Sequence, residues 1–329
     1  MPLLPIWNPQ CEPSEHAGYE SEPDDALFLK KFEDRVAKTI HDFQLIPHNA
    51  KVLVAVSGGK DSLATLYMLK KLGYPVEAVT IDVHIGCYTK KNLENVKKFC
   101  AQHNVKLHAF EFREAYGYSV CYIQSILKQA GHSFTSCTVC GVLRRRLLNK
   151  IARDMKADVI ATGHNRDDEV QAILMNWLKN KQALNARLGP MSSMVDDESF
   201  IPRIKPLYTT SEADVIRYTQ MLDFPVHYGR CPCSVDGLRH QIRQFLSALE
   251  ELYPRAQENI MNFFLKQLPL LKERHKSERL IHQCSTCGEP SSTAVCRSCQ
   301  ILVLLQEVTK GADFTNTELA PVSGPELAE

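Results

Sequence analysis

The spacing of apolar residues changes several times along this chain, and each change marks an element. In the run Leu27-Phe-Leu-Lys-Lys-Phe-Glu-Asp-Arg-Val-Ala-Lys-Thr-Ile40 the apolar positions fall three and four apart, which predicts a helix over 26–45. Beyond it, short apolar runs alternate with helical spacing. Strand-like runs occupy 52–56, 76–82, 106–112 and 159–162. Helix-like runs occupy 62–72, 91–103, 120–129, 141–155 and 168–178. This alternation predicts an α/β fold, a parallel sheet with helices on both faces. Residues 181–210 have no clear period and contain Pro190, Pro202 and Pro206, so a long loop is expected there. Helical spacing returns over 212–222 and 237–270.

Five segments follow from this pattern. A loose arm (1–25) precedes the α/β domain (26–225). A helical extension (226–280) leads to a small metal-binding module (281–305) and an acidic tail (306–329), disordered from Lys310 on compositional grounds. Composition adds limits. Apolar content of 44% and charged content of 23% are those of a globular protein, and 329 residues suffice for a sizeable core. No apolar run reaches the roughly 18 residues of a membrane span. The N-terminus holds Pro, Asn, Glu and Asp where a signal peptide would be basic and then apolar, so a cytoplasmic protein without membrane contact is expected. A net charge of +1 neither supports nor excludes a nucleic-acid partner. Arg144, Arg145, Arg146, Lys150, Arg153 and Lys156 crowd one helical stretch and, by themselves, read as a solvated face.

The first predicted strand runs straight into Ser57-Gly58-Gly59-Lys60-Asp61-Ser62 and then a helix. A strand, a glycine turn and a helix N-terminus together build an anion site, because backbone N–H groups and the helix dipole both face the ligand. The spacing is not that of a Walker loop, which places four residues between its first glycine and Gly-Lys-Ser/Thr. In an open sheet ligands bind beyond the carboxyl ends of the strands. The segments that follow the strands are 57–62, 82–86, a turn at 113–118, and Gly163-His-Asn-Arg-Asp-Asp168. Glycine next to carboxylate, in the second and the last of these, suits a triphosphate with Mg²⁺.

Twelve cysteines is a high count, and in a cytoplasmic chain they are expected as metal ligands or reactive thiols rather than disulfides. Cys284-x₂-Cys287-x₈-Cys296-x₂-Cys299 presents four thiolates to one Zn²⁺, with Gly288 at the turn after the first pair. Cys137-x₂-Cys140 precedes the basic helix, and Cys231-Pro-Cys233 follows almost a hundred residues later. Three thiolates with an open position suit a [4Fe–4S] cluster; four, if Cys233 joins, suit zinc; the first pair alone also suits a redox dithiol. Cys11, Cys87, Cys100 and Cys121 stand alone, with Cys100 and Cys121 expected as buried fillers.

Together the Ser57–Ser62 loop, Cys137-Thr-Val-Cys140-Gly with Arg144-Arg145, Gly163-His-Asn-Arg-Asp-Asp168-Glu-Val-Gln171, Cys231-Pro-Cys233-Ser234 and the C-terminal knuckles resemble the tRNA 2-thiouridine synthetases. These are PP-loop enzymes, and the resemblance spans about residues 26–305. It implies that ATP adenylates O2 of a tRNA uridine and that sulfur then displaces AMP. It implies a nucleotide held by Ser57, Gly58, Gly59, Lys60, Asp61 and Ser62, with Asp82 and Gly163 bordering adenosine. Asp168 becomes the catalytic acid, holding Mg²⁺ or assisting at the base, against the plainer reading of a helix N-cap carboxylate. Arg144 stands where some relatives have lysine and would meet phosphate. Cys137, Cys140 and Cys231 would ligate the cluster. Partners implied are tRNA, a sulfur donor (sulfide or a ubiquitin-like carrier) and a second copy in a homodimer. Two departures stand out: only Cys11 remains of an N-terminal zinc knuckle, and Cys233 replaces a usual aromatic. Synthesis of 2-thiocytidine, or a non-catalytic nucleotide- and zinc-binding RNA adaptor, are the alternatives.

Overall fold

The computed structural model describes residues 24–192, 200–229, 231–234, 237–276 and 282–309; the greater part of the predicted arm and of the acidic tail lies outside these residues. In chain order the elements are α1 (Asp25–Asp42), β1 (Val52–Ala55), α2 (Lys60–Lys71), β2 (Val76–Asp82), α3 (Gly86–Gln102), β3 (Leu107–Glu111), α4 (Phe112–Tyr116), α5 (Val120–Gln129), α6 (Ser136–Asp154) and β4 (Val159–Thr162). Then come α7 (Arg166–Leu178), α8 (Gln182–Asn185), β5 (Met191–Ser192), β6 (Arg203–Ile204) and α9 (Glu212–Met221). A 3-10 turn (Pro232–Ser234) precedes α10 (Leu238–Leu252) and α11 (Ala256–Arg274). The chain ends in a small ribbon, β7 (His282–Gln283) and β8 (Pro290–Ser291), and α12 (Arg297–Thr309).

The sheet order is β3-β2-β1-β4-β6-β5, with every neighbouring pair parallel except β5 against β6. The expected parallel sheet is present, with six strands rather than four. The two extra strands come from the stretch expected to be a long loop. They are two residues each, too short to show a period, and they form only because β4 offers an edge to pair with. The turn expected at 113–118 is largely the short helix α4.

β1 is apolar without alternation because both of its faces are covered. Val52, Val54 and Val56 pack with Leu63, Leu66, Phe99 and Val215 from α2, α3 and α9 on one side. Leu53 packs on the other side with Ile123, Leu147 and Leu302 from α5, α6 and α12. Each such side chain contributes about 1.5–3 kcal/mol on burial. A third apolar cluster joins α7 to the extension through Val170, Ile173, Ile242, Leu246, Met261 and Phe264. The knuckle module is fastened to the sheet domain in the same way, since α12 inserts Ile301, Leu302 and Leu305 into the second core. No helix among the described residues is long and apolar enough to cross a membrane.

Register places the loops. Ala55, the last residue of β1, pairs with Thr162, the last of β4. Residues 57–62 and 163–168 therefore emerge side by side. At β1 the strand order reverses direction, so the crevice between β1 and β4 is the switch point where such sheets bind ligands.

Candidate active site

The glycine loop is shaped by its neighbours. Gly58 has φ +80°, and a Cβ there would lie 2.3 Å from the backbone oxygen of Asn92 on α3, so no other residue fits. At Gly59, which caps α2, a Cβ would meet only Ser57 Oγ at 3.7 Å. Ser62 closes the loop: its Oγ accepts from the Ser57 N–H at 3.1 Å and donates to the Gly59 carbonyl at 2.9 Å. Lys60 Nζ donates to Asp61 Oδ2 and to Glu212 Oε1, both at 2.9 Å. Burial works against that ammonium, but Asp61 and Glu212 outweigh it and its pKa is raised. Burial raises the Asp61 pKa, and the Asp168 charge adds to the rise.

The second loop leans on the first. A Cβ on Gly163 would come within 2.6 Å of the Asp61–Ser62 peptide, so this glycine is required by the first turn of α2. Asn165 Nδ2 donates to Asp61 Oδ1 at 2.9 Å. Asn165 is also the N-cap of α7, its side chain accepting from the Asp168 N–H at 3.0 Å. The N-cap reading of the Asp168 carboxylate is thereby corrected. That carboxylate lies in the first turn of α7 and faces Arg239 of α10 at 3.4 Å. Asp167 Oδ2 accepts from the Glu212 N–H at 3.0 Å. His164 is exposed, yet the protein around it, and then the cations Lys205, Arg239 and Arg144, pull its pKa down to about 4. It stays neutral at pH 7. Asp82, at the end of β2, accepts from the His84 N–H at 2.8 Å and shapes the turn into α3.

The thiols of the other two cysteine pairs lie around the opening of α6, although among the described residues only the four knuckle thiols stand close enough together to hold a metal. Cys137 and Cys140 lie in its first two turns, within the basic helix rather than before it. The 3-10 turn packs on α6, and Cys137 Sγ donates to the Cys233 carbonyl at 3.5 Å. The Cys231 charge is felt at both Cys137 and Cys140. A hydrogen bond from Cys233 comes first among the causes that bring the Cys231 thiol down to about 6, with the Arg144 field as a further cause. Arg144 is exposed, and its charge also acts on Cys140 and His164. Arg239 joins the same places, pairing with Asp168 while its field reaches Cys137. Burial raises the Tyr88 pKa on α3, and the charges of Cys231, Arg144 and Lys60 also reach it.

A PP-loop domain model matches residues 28–246. A tRNA-5-methyluridine(54) 2-sulfurtransferase of Pyrococcus horikoshii is 33% identical over 88% of this chain and 91% of its own. The chain belongs to the PP-loop tRNA sulfurtransferase family. A cytoplasmic tRNA 2-thiolation protein 1 of Drosophila willistoni is 33% identical over 86% of this chain and 81% of its own. Among solved structures, a U34-tRNA thiolase of Methanococcus maripaludis with its [4Fe-4S] cluster superposes with a TM-score of 0.68 at 28% identity, covering 84% of this chain and 88% of that one.

Away from the PP-loop, the four knuckle thiols lie within 4.8 Å of one another. A tetrahedral Zn²⁺ with Zn–S of about 2.3 Å has S···S edges of about 3.8 Å, and Cys287 to Cys296 is 3.8 Å. Backbone N–H groups of Cys296 and Cys299 donate to the sulfurs of Cys284 and Cys296 at 3.2 and 3.4 Å. Gly288 turns the first knuckle with φ +71°. Glu289 ties the module to α6, accepting from Arg153 at 2.9 Å and Asn149 at 3.1 Å. The basic helix is thus no uniform solvated face: Arg153 holds the knuckle, Arg146 faces its cysteines and Arg144 faces the crevice.

Sequence reasoning missed Glu212, Arg239 and Tyr88, none of which sits in a motif. It also misplaced Cys121, which is exposed, whereas Cys100 is buried as expected. Ten described cysteines are free thiols; Cys87 is disulfide-bonded, against the expectation of none.

Proposed function

We propose that this protein makes 2-thiouridine in tRNA, using ATP to activate the base. The observation that supports the reading is that the glycine loop and the acidic start of α7 lean on each other, while the charges of Cys231 and of Arg144 on α6 act on Tyr88 together with Lys60 of that loop. The triphosphate rests on the N-terminus of α2, where the backbone N–H groups of the loop and the helix dipole receive it. The open side of Gly59 admits phosphate, and Lys60, held charged by two carboxylates, neutralises it. Asp168 and Mg²⁺ share the other side of the phosphates. Asp82 and Gly163 border adenosine.

Uridine O2 attacks the α-phosphorus, and the bond to pyrophosphate breaks. The base now carries AMP on O2, which converts a poor leaving group into a good one. Sulfur adds at C2, and AMP departs with its oxygen. Arg144 cannot lose its proton, so it serves as a permanent cation beside the departing phosphate. Neutral His164 and Tyr88 line the place where the base lies and offer hydrogen bonds without adding charge. The donor set of Cys137, Cys140 and Cys231 fits a [4Fe–4S] cluster in its chemistry: three thiols, with the Cys231 charge acting on the other two and Cys231 itself brought down to about 6. Such a cluster, held by three thiolates, supplies an iron with an open position for sulfur. Sulfide or a ubiquitin-like carrier delivers the sulfur, the knuckle holds Zn²⁺, and the protein works in the cytoplasm as a homodimer.

Mass spectrometry of tRNA nucleosides from cells with and without the gene tests this. Loss of 2-thiouridine is expected, and sequencing of tRNA fragments then separates position 34 from position 54. Loss of 2-thiocytidine with 2-thiouridine intact would replace the proposal with the cytidine reaction. Asp168→Ala should abolish turnover; unchanged function in cells would indicate a non-catalytic adaptor.

A further inference from the structure

Two thiols beside the triad have no part in the proposed reaction. Cys121, in the first turn of α5, is exposed, and its Sγ lies 3.9 Å from the Sγ of Cys233 although the two are 112 residues apart in sequence. Cys233 in turn hydrogen-bonds with Cys231, and its carbonyl accepts from Cys137. Cys121, Cys233 and Cys231 thus form a line of sulfurs from the surface to the triad. We propose that Cys121 and Cys233 are a redox-active dithiol that closes to a disulfide when a low-molecular-weight disulfide, such as oxidised glutathione, reaches α5.

Geometry favours this pair. The sulfurs are 3.9 Å apart, and a bond of about 2.05 Å requires an approach of about 1.9 Å, which side-chain torsion of the exposed Cys121 supplies. The exposed thiol reacts first. Cys121, as thiolate, attacks one sulfur of the small disulfide; that S–S bond breaks, a mixed disulfide forms and one small thiolate leaves. Cys233, losing its proton to that thiolate, attacks Cys121 Sγ and expels the second small thiolate. The dithiol loses two electrons and two protons, and the small disulfide becomes two thiols. A closed bond ties the 3-10 turn, which follows directly on Cys231, to α5, so the oxidation state of the surface pair reaches the triad.

The test needs no turnover, so its failure is separate from failure of the thiolation reading. The full-length, cluster-loaded protein is treated with oxidised glutathione without oxygen, free thiols are alkylated, and peptides are mapped without reductant. The expected result is a Cys121–Cys233 linked peptide, a chain lighter by about 2 Da before alkylation, and two alkylatable thiols lost, all restored by dithiothreitol. C121S, a near-isosteric change at an exposed position, should abolish the link while the circular dichroism spectrum stays the same. Two results would overturn the proposal. One is Cys121 carrying only glutathione while Cys233 alkylates freely. The other is Cys233 shielded from alkylation only while the cluster is bound, which would make it a ligand.

Discussion

The two cysteine clusters of this chain are built oppositely. In the knuckle, four thiols face one point, three of them are buried, and backbone N–H groups donate to two of the sulfurs. In the crevice, Cys137 is exposed, Cys140 and Cys231 are half-buried, and the cations that act on them include Arg144 of α6 and Arg239 of α10. A closed tetrahedron with satisfied sulfurs stabilises; an open set beside a nucleotide crevice leaves room for chemistry. The contrast teaches that cysteine spacing predicts ligation, while access to the sulfurs decides what the ligated metal does.

The strongest way to break that contrast is in the knuckle. Structural Zn²⁺ sites contribute on the order of 10 kcal/mol, so Cys299→Ala should release zinc and undock α12. Metal analysis and a thermal melt would show both. An unchanged melt with zinc lost would remove the structural role. Next in size, Cys137→Ser should leave the melt almost unaltered yet cost thiolation at least the roughly 10–100-fold typical of disturbed metal sites; a variant that unfolds instead would place the triad with the knuckle.

A smaller effect is expected from Gly58→Ala. The left-handed backbone and the clash with Asn92 cost about 1–3 kcal/mol, read as a weaker ATP Kd with the fold retained. Arg239→Ala, which breaks an exposed pair with Asp168, should change stability by about 1 kcal/mol or less, and a larger fall in the melt would give that pair a structural role. The gentlest test uses pH. Cys231 sits well below the ordinary thiol value of 9.0, at about 6, so its thiolate contributes stability that is fully present above pH 9 and is lost as pH falls through about 6. In cluster-free protein, alkylation of Cys231 should accelerate through pH 6. Cys233→Ala, which leaves no donor, should move that midpoint upward; an unmoved midpoint would show that the Cys233 hydrogen bond is not its cause.

The parallel sheet was legible because its strands are buried on both faces and read as unbroken apolar runs. β4 and α5 begin and end where the pattern places them. β5 and β6 were illegible because two residues carry no period. The first turns of α3 and α6 were missed for a related reason: Gly86, Cys87, Ser136 and Cys137 are poor helix signals, held helical by what packs on them. Within the crevice, Gly163 and Asn165 lie against Asp61 and Ser62, as adjacent strand ends require. Glu212 and Arg239, the partners of Lys60 and Asp168, come from distant elements.

The sequence by itself determined the apolar periods, the glycine turn and the two-by-two cysteine spacing, because these are local properties of neighbouring residues. Tertiary structure alone decided that Gly58 must be glycine because Asn92 lies against it, and that Asp168 faces Arg239 rather than capping its own helix. It also decided that Cys121 meets Cys233. Each of these depends on contacts between residues far apart in the chain, which no local period can encode.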